Sequence, residues 1–312
     1  THNTQHTTHN TQHTTHNTAT PHPQLSTKKN IMSESLLPAG WERVVDAWYQ
    51  EDTPSFDYGG HVVGSHTATA VIYQKASGVL AGRPFLNKIF EYAGCSVEWH
   101  VNEGAYTKYT GTRIPIATVR GPICRLLQSE RIALNVLCRA SGIASVCAQL
   151  TAKAKAHKWH GRIAGTRKTT PGFRLVEKYA MLIGGIDTHR MDLSSMIMLK
   201  DNHIKSHGNI TNAVKSALAV GGFAIKVEVE CQSEEEAIEA IRAGAHVVML
   251  DNFTPHNAKI AAKNLKSAYP HVLVEVSGGI TQENIFEYFC EFVDVLSTSA
   301  TSQGVPHIDY SM

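Results

Sequence analysis

No apolar run in this 312-residue chain approaches the ~20 residues needed to cross a bilayer. The longest, such as Met196–Leu199 and Val247–Leu250, are short. There is no charged segment followed by an apolar stretch, as in a secretory signal, and no arginine-rich presequence. A charge excess is also missing. The 29 basic and 27 acidic side chains leave a net charge of +2, which gives no long-range field for nucleic acid or an anionic membrane. Any functional positive charge must be local. The six cysteines form neither a CxxC pair nor a zinc-finger spacing. They read as reduced, mostly buried thiols of a cytoplasmic protein, with the nucleus as the alternative.

Residues 1–7, THNTQHT, recur letter for letter at 8–14. This stretch has nothing apolar to bury and cannot offset its ordering entropy, so residues 1–32 are expected to be a disordered low-complexity tail. Its histidines could bind a metal ion, but the simpler reading is low-complexity sequence upstream of Met32.

Order is expected from Leu36 onward. Trp41–Gln50 has helical spacing, with Trp41, Val44, Val45 and Trp48 on one face. His61–Lys75, interrupted by Gly64, together with Ser96–His100 and Ile116–Arg120, reads as a small sheet. Two helices, Ile123–Ala140 and Ile143–Lys158, are expected with a break at Ser141-Gly142. Beyond them, short apolar runs alternate with amphipathic helices. The runs are Arg162–Gly165, Met196–Leu199, Ala224–Val229, His246–Leu250, Val272–Val276 and Val293–Leu296. This alternation predicts an α/β fold with a parallel sheet closed, or nearly closed, into a barrel.

Nearly every one of these strands runs into polar residues. The first leads to Thr166-Arg167-Lys168 and the second to Lys200-Asp201-Asn202-His203. The third ends in Glu230, the fourth in Asp251-Asn252, the fifth in Ser277-Gly278-Gly279 and the last in Ser297-Thr298-Ser299. Barrel active sites are assembled at the C-terminal ends of strands. Ser277-Gly278-Gly279, ahead of a helix expected to open at Thr281, fits a phosphate cradle. Glu230 and Asp251, on neighbouring strands, could share Mg²⁺ on a substrate phosphate. Arg167, Lys168, His189, Arg190 and Lys200 make a basic rim suited to a small, highly charged anion. Arg131, on the helix before the barrel, could simply pair with Glu130 or Glu177.

The same residues, taken in order, resemble the quinolinate phosphoribosyltransferases, over about Leu36 to Met312. The resemblance rests on Glu130–Asn135, Ser141–Ala144, Gly165–Gly172, His189-Arg190, Lys200–His203, Val227–Glu230, Leu250–Asn252 and Ser277–Gly279. Ser297-Thr298-Ser299 is close to the fungal pattern, although many members carry Gly where Ser299 stands.

The resemblance implies an α/β sandwich domain over 33–142, to which 306–312 return, and an open α/β barrel of about seven strands over 143–305. It implies transfer of phosphoribose from phosphoribosyl pyrophosphate to quinolinate with loss of CO₂. Arg131, Arg167, Lys168, Thr169, His189, Arg190 and Lys200 would bind quinolinate and nearby phosphates. Glu230 and Asp251 would hold the ribose diphosphate and its Mg²⁺, and Ser277, Gly278, Gly279 and Ser299 the 5-phosphate. Lys168, Lys200, Glu230 and Asp251 would carry catalysis. A homodimer would be the minimum assembly, with a hexamer compatible, because Arg131 would reach the neighbouring subunit's site. Two other readings are a nicotinate phosphoribosyltransferase without decarboxylation and a non-catalytic binder of phosphorylated metabolites.

Overall fold

The computed structural model describes Thr1 and residues 34–312; the expected tail lies outside the described residues. A helix α1 (Arg43–Asp52) buries Val45 and Tyr49. A short α2 (Tyr58–Val63) follows, capped by the Asp57 side chain on Gly60 N–H. Then come β1 (Thr67–Gln74), β2 (Gly78–Val79), α3 (Arg83–Tyr92), β3 (Ser96–Trp99), β4 (Tyr106–Thr107) and β5 (Ile114–Pro122). Gly64 therefore does not interrupt a strand. With φ +81° it ends α2, in a conformation that costs glycine little, and the strand begins only at Thr67. β1 and β5 pair antiparallel along their whole lengths, and β3 pairs with β5 on the far side.

The helix α4 (Ile123–Ala156) runs unbroken through Ser141-Gly142, which corrects the expected break. Both small residues serve close packing. Ser141 Oγ accepts from Ala81 N–H at 3.1 Å and lies 3.0 Å from Tyr310 Oη. A Cβ on Gly142 would sit 2.3 Å from the Pro306 carbonyl oxygen. Burial thus outweighs the ~1 kcal/mol that glycine costs a helix interior. By length and composition α4 could span a membrane, but Ile132, Val136, Leu137, Ile143, Ala144 and Leu150 are buried in the protein core.

The second unit contains β6 (Arg162–Ala164), α5 (Arg174–Gly184), β7 (Ile197–Leu199), α6 (Asp201–His207), α7 (Ile210–Gly221), β8 (Val227–Cys231), α8 (Glu234–Ala243), β9 (Val247–Asp251), α9 (Pro255–Ala268), β10 (Leu273–Ser277) and β11 (Val295–Ser297). The six strands form one parallel sheet in the order β6-β11-β10-β9-β8-β7. Asp187 adds a parallel bridge to Ala164 on the free side of β6. The sheet is therefore an open α/β barrel of six strands plus this short seventh segment, whose single bridge left no periodic signal in the sequence. The last strand, β12 (Tyr310–Ser311), leaves the barrel and pairs antiparallel with β1.

The helix expected at Thr281 does not form. Thr281 and Asn284 exchange hydrogen bonds in a turn, and a 3-10 turn follows at Ile285–Tyr288.

Candidate active site

Register brings the polar strand ends to one rim. Ser277 stands opposite Asp251 on one side and Ser297 on the other, Ser297 faces Ala164, and Cys231 faces Leu250. Parallel strands in step carry Thr166–Lys168, Lys200, Glu230, Asp251, Ser277 and Ser299 to the same mouth.

Arg167 is half-buried, and its Nε is buried without a hydrogen-bond partner among the described residues. An orphaned buried donor costs on the order of 1–3 kcal/mol, so this side chain is set up for an anion. The 167–172 run is braced from below. Thr170 N–H and Oγ1 both donate to Glu177, which Arg139 of α4 grips at 2.9 Å. Thr169 Oγ1 accepts from Arg174 Nε at 3.0 Å, so its hydroxyl already has a structural task. Lys168 is exposed, and its carbonyl accepts from Ser302 Oγ.

His189 has φ +57°, a left-handed conformation that costs a non-glycine residue on the order of 1–3 kcal/mol. Its Nδ1 accepts from Arg190 N–H at 2.8 Å, which places the ring proton on Nε2, 3.2 Å from Glu275 Oε1. Both ring nitrogens are thus engaged within the chain. Glu275 also accepts from Ser297 Oγ at 2.5 Å. Beside it Glu228 is fully buried; burial and the adjacent Glu275 push its carboxyl well above the usual range. His189, Glu228 and Glu275 present donors within 4.8 Å of one another. A protonated Nε2, however, offers no lone pair to a metal; His189, Glu275 and Ser297 are joined by hydrogen bonds, whereas both Glu228 carboxyl oxygens are buried without a hydrogen-bond partner among the described residues. Above it, burial and neighbouring Arg167 pull the Arg190 guanidinium below its ordinary pKa, a measure of how closely the cations are crowded.

On the opposite wall Lys200 Nζ bonds Glu230 Oε2. Asp251 Oδ2 accepts from Gln232 at 3.1 Å and Asn252 at 2.6 Å. The second oxygen of each carboxylate has no partner among the described residues. Two free hard oxygens on adjacent strands fit Mg²⁺.

The cradle expected from Ser277-Gly278-Gly279 is made by backbone conformation rather than by a helix end. Gly278 and Gly279 have φ +91° and +65°, and a Cβ on Gly278 would lie 2.2 Å from Asn252 Oδ1. Ser277 Oγ donates to Ser297 O at 3.3 Å. Ser299 begins a 3-10 turn in which Thr298 Oγ1 accepts from the Ala300 amide.

Arg131 is exposed, and among the described residues it pairs with neither Glu130 nor Glu177. Glu177 belongs to Arg139, eight positions further along α4 and so roughly 12 Å further along its axis. In the sequence Arg139 and Lys178 look like ordinary helix-surface charges, and Glu177 reads only as a possible partner of Arg131. Glu275 did leave a signal, as a lone acid inside an apolar strand.

Such a barrel rim, with a cationic wall, a carboxylate pair and a glycine cradle, defines an enzyme for small polyanions. Residues 143–312 match the family model described as quinolinate phosphoribosyl transferase, C-terminal domain, and residues 50–141 match its N-terminal domain. The chain belongs to the quinolinate phosphoribosyltransferase family. It is 48% identical over 285 residues to the nicotinate-nucleotide pyrophosphorylase [carboxylating] of Dictyostelium discoideum, covering 87% of this chain and 94% of that one. The human protein of the same name is 44% identical over 277 residues, covering 89% and 92%. The crystal structure of NadC from Streptococcus pyogenes superposes with a TM-score of 0.80 at 32% identity, covering 89% and 96%.

Proposed function

We propose that the chain performs the reaction its family name describes. Phosphoribose passes from phosphoribosyl pyrophosphate to quinolinate, and nicotinate mononucleotide, pyrophosphate and CO₂ are formed. The observation that carries the reading is Arg167, whose buried Nε awaits an acceptor beside Arg190.

In this reading Arg167, Arg190 and Lys168 clamp the two carboxylates of quinolinate, with Arg131 of the partner subunit completing the clamp. His189 acts through its backing of Arg190, and Thr169 by fixing the Arg167 loop. Ser277, Gly278, Gly279 and Ser299 receive the 5-phosphate. Glu230 and Asp251 hold Mg²⁺ and the ribose diphosphate, and Lys200 lies beside Glu230. Mg²⁺ held there would neutralise charge on the departing pyrophosphate. The residues contribute position: a ring nitrogen held in line with the anomeric carbon needs no base to attack it. Once the nitrogen is alkylated, the pyridinium stabilises the carbanion left on the ring by loss of CO₂, and a proton from water fills that position to give nicotinate mononucleotide, so no side chain is assigned as the acid.

A dimer is supported by the exposure of Arg131 and by the exposed apolar residues Phe56, Tyr58, Val62 and Leu127 on α2, α4 and the segment before α2. These lie on packed neighbours and offer a face for a second copy. Free, largely buried thiols support work in a reducing compartment such as the cytoplasm. The test is isotopic. Quinolinate labelled in its 2-carboxylate should yield labelled CO₂ only with phosphoribosyl pyrophosphate present. Turnover of nicotinate in its place would overturn the reading in favour of a non-decarboxylating transferase, and turnover of neither would favour a binding protein.

A further inference from the structure

We infer that Lys178 is a positioning residue that ties the carbonyls of Thr188 and Arg190 together and thereby presents Arg190 to the dicarboxylate. This rests on the function proposed above and deepens it.

Lys178 lies within α5, an amphipathic helix, yet it is only 1% exposed. Its ammonium donates to the Thr188 carbonyl and, at 2.9 Å, to the Arg190 carbonyl. Those two residues flank His189, the left-handed residue. The clamp therefore spans the strained position from both sides. The same turn is pinned again by Arg190 N–H on His189 Nδ1 and by Thr188 Oγ1 on the His189 carbonyl. A strained conformation persists only when its surroundings over-determine it, and a buried lysine whose acceptors are both backbone carbonyls of one turn does this.

The charge environment says what else the clamp does. The groups facing Lys178 are cations: Arg174 on its own helix, Arg167 after β6, and Arg190 on the turn it holds. The acids around this assembly are engaged elsewhere: Glu177 pairs with Arg139 and accepts from Thr170, and Glu228 and Glu275 act on Arg190. No carboxylate pairs with Lys178 among the described residues. Burial and the three guanidiniums bring its ammonium down from the ordinary 10.5 to about 8. A dianion bound between Arg167 and Arg190 supplies the missing opposite charge and raises that value again. Binding and protonation are thus linked: the clamp is charged when the dicarboxylate is in place, and loses its proton most readily when the site is empty.

The test measures quinolinate and phosphoribosyl pyrophosphate binding to the full-length protein by calorimetry from pH 6.5 to 9.5. In the unsubstituted protein quinolinate affinity should fall as pH rises through about 8, by roughly tenfold per unit at the steepest, while phosphoribosyl pyrophosphate shows no such limb. Binding at pH 8.5 should take up protons, read from buffers of different ionisation enthalpy. Lys178→Met, shown folded by circular dichroism, should bind quinolinate about ten- to a hundredfold more weakly at pH 7. Its affinity should be flat across the alkaline range, and its phosphoribosyl pyrophosphate affinity unchanged within about twofold. Equal quinolinate affinity in Lys178→Met, or an alkaline limb that survives the substitution, overturns the inference. If the variant does not fold, the unsubstituted protein still decides: no alkaline limb and no proton uptake overturn it. Absence of any quinolinate binding at every pH would instead overturn the proposed function.

Discussion

Arg139 of α4 and Glu177 of α5 meet at 2.9 Å with the glutamate fully buried, and through them the long helix that links the two units holds the Arg167–Gly172 loop. The same carboxylate accepts from Thr170 N–H and Oγ1, while the guanidinium also donates to the Ser302 carbonyl, next to the expected phosphate turn. One ion pair therefore braces the segments that follow the neighbouring strands β6 and β11.

Removing one partner should expose how much rests on it. Arg139→Met leaves a buried carboxylate uncompensated and is expected to cost about 3–5 kcal/mol. Urea unfolding should show the midpoint falling without a change in slope. A loss under 1 kcal/mol would mean that Glu177 is held by Thr170 alone.

The shared-site reading of Arg131 predicts complementation. Arg131→Ala and Arg167→Ala should each nearly abolish turnover. Randomly mixed dimers of the two variants should recover about a quarter of the unsubstituted rate, because half the dimers then carry one intact site. No recovery would assign Arg131 to its own subunit's site or to none.

Gly278→Ala tests the cradle. The added methyl meets Asn252 at a position where φ is +91°, so the turn must shift. Affinity for phosphoribosyl pyrophosphate should fall at least about tenfold, with quinolinate affinity kept. Equal loss of both in a binding titration would indicate general disruption of the rim.

The carboxylate pair predicts a metal phenotype. Glu230→Gln and Asp251→Asn should raise the Mg²⁺ concentration needed for half-maximal rate, and chelation should stop turnover by the unsubstituted protein. Turnover that persists after exhaustive chelation argues against metal at this pair.

Lys178 also leaves a mark on stability. Its folded pKa of about 8 lies below the ordinary 10.5, so between those values the unfolded chain binds a proton that the folded chain has released. By linkage, stability from this residue rises with pH across that window. Comparing denaturant midpoints of the unsubstituted protein and Lys178→Met at pH 7.5 and 10 should reveal the difference. An opposite sign would mean that the ammonium is stabilised in the fold.

Much of the protein was legible in its residues. Barrel strands such as Val247–Asp251 and Leu273–Ser277 are short apolar runs buried on both faces, and such runs keep their signature in any context. The polar residues after them had to share a rim because parallel strands in register end together. The joint order of motifs such as Gly165–Gly172 and Lys200–His203 carried the family. Tertiary structure decided the rest. Ser141-Gly142 became a close-packed point within an unbroken helix because Pro306 and Tyr310 return against it, a contact no local propensity encodes. Thr281 opened a turn rather than a helix, leaving the cradle to two left-handed glycines. Lys178, a charge in an amphipathic helix like any other, is buried because the Thr188–Arg190 turn folds over it. Local periodicity records which face of an element is apolar; which polar groups that packing then traps together depends on contacts distant in the chain.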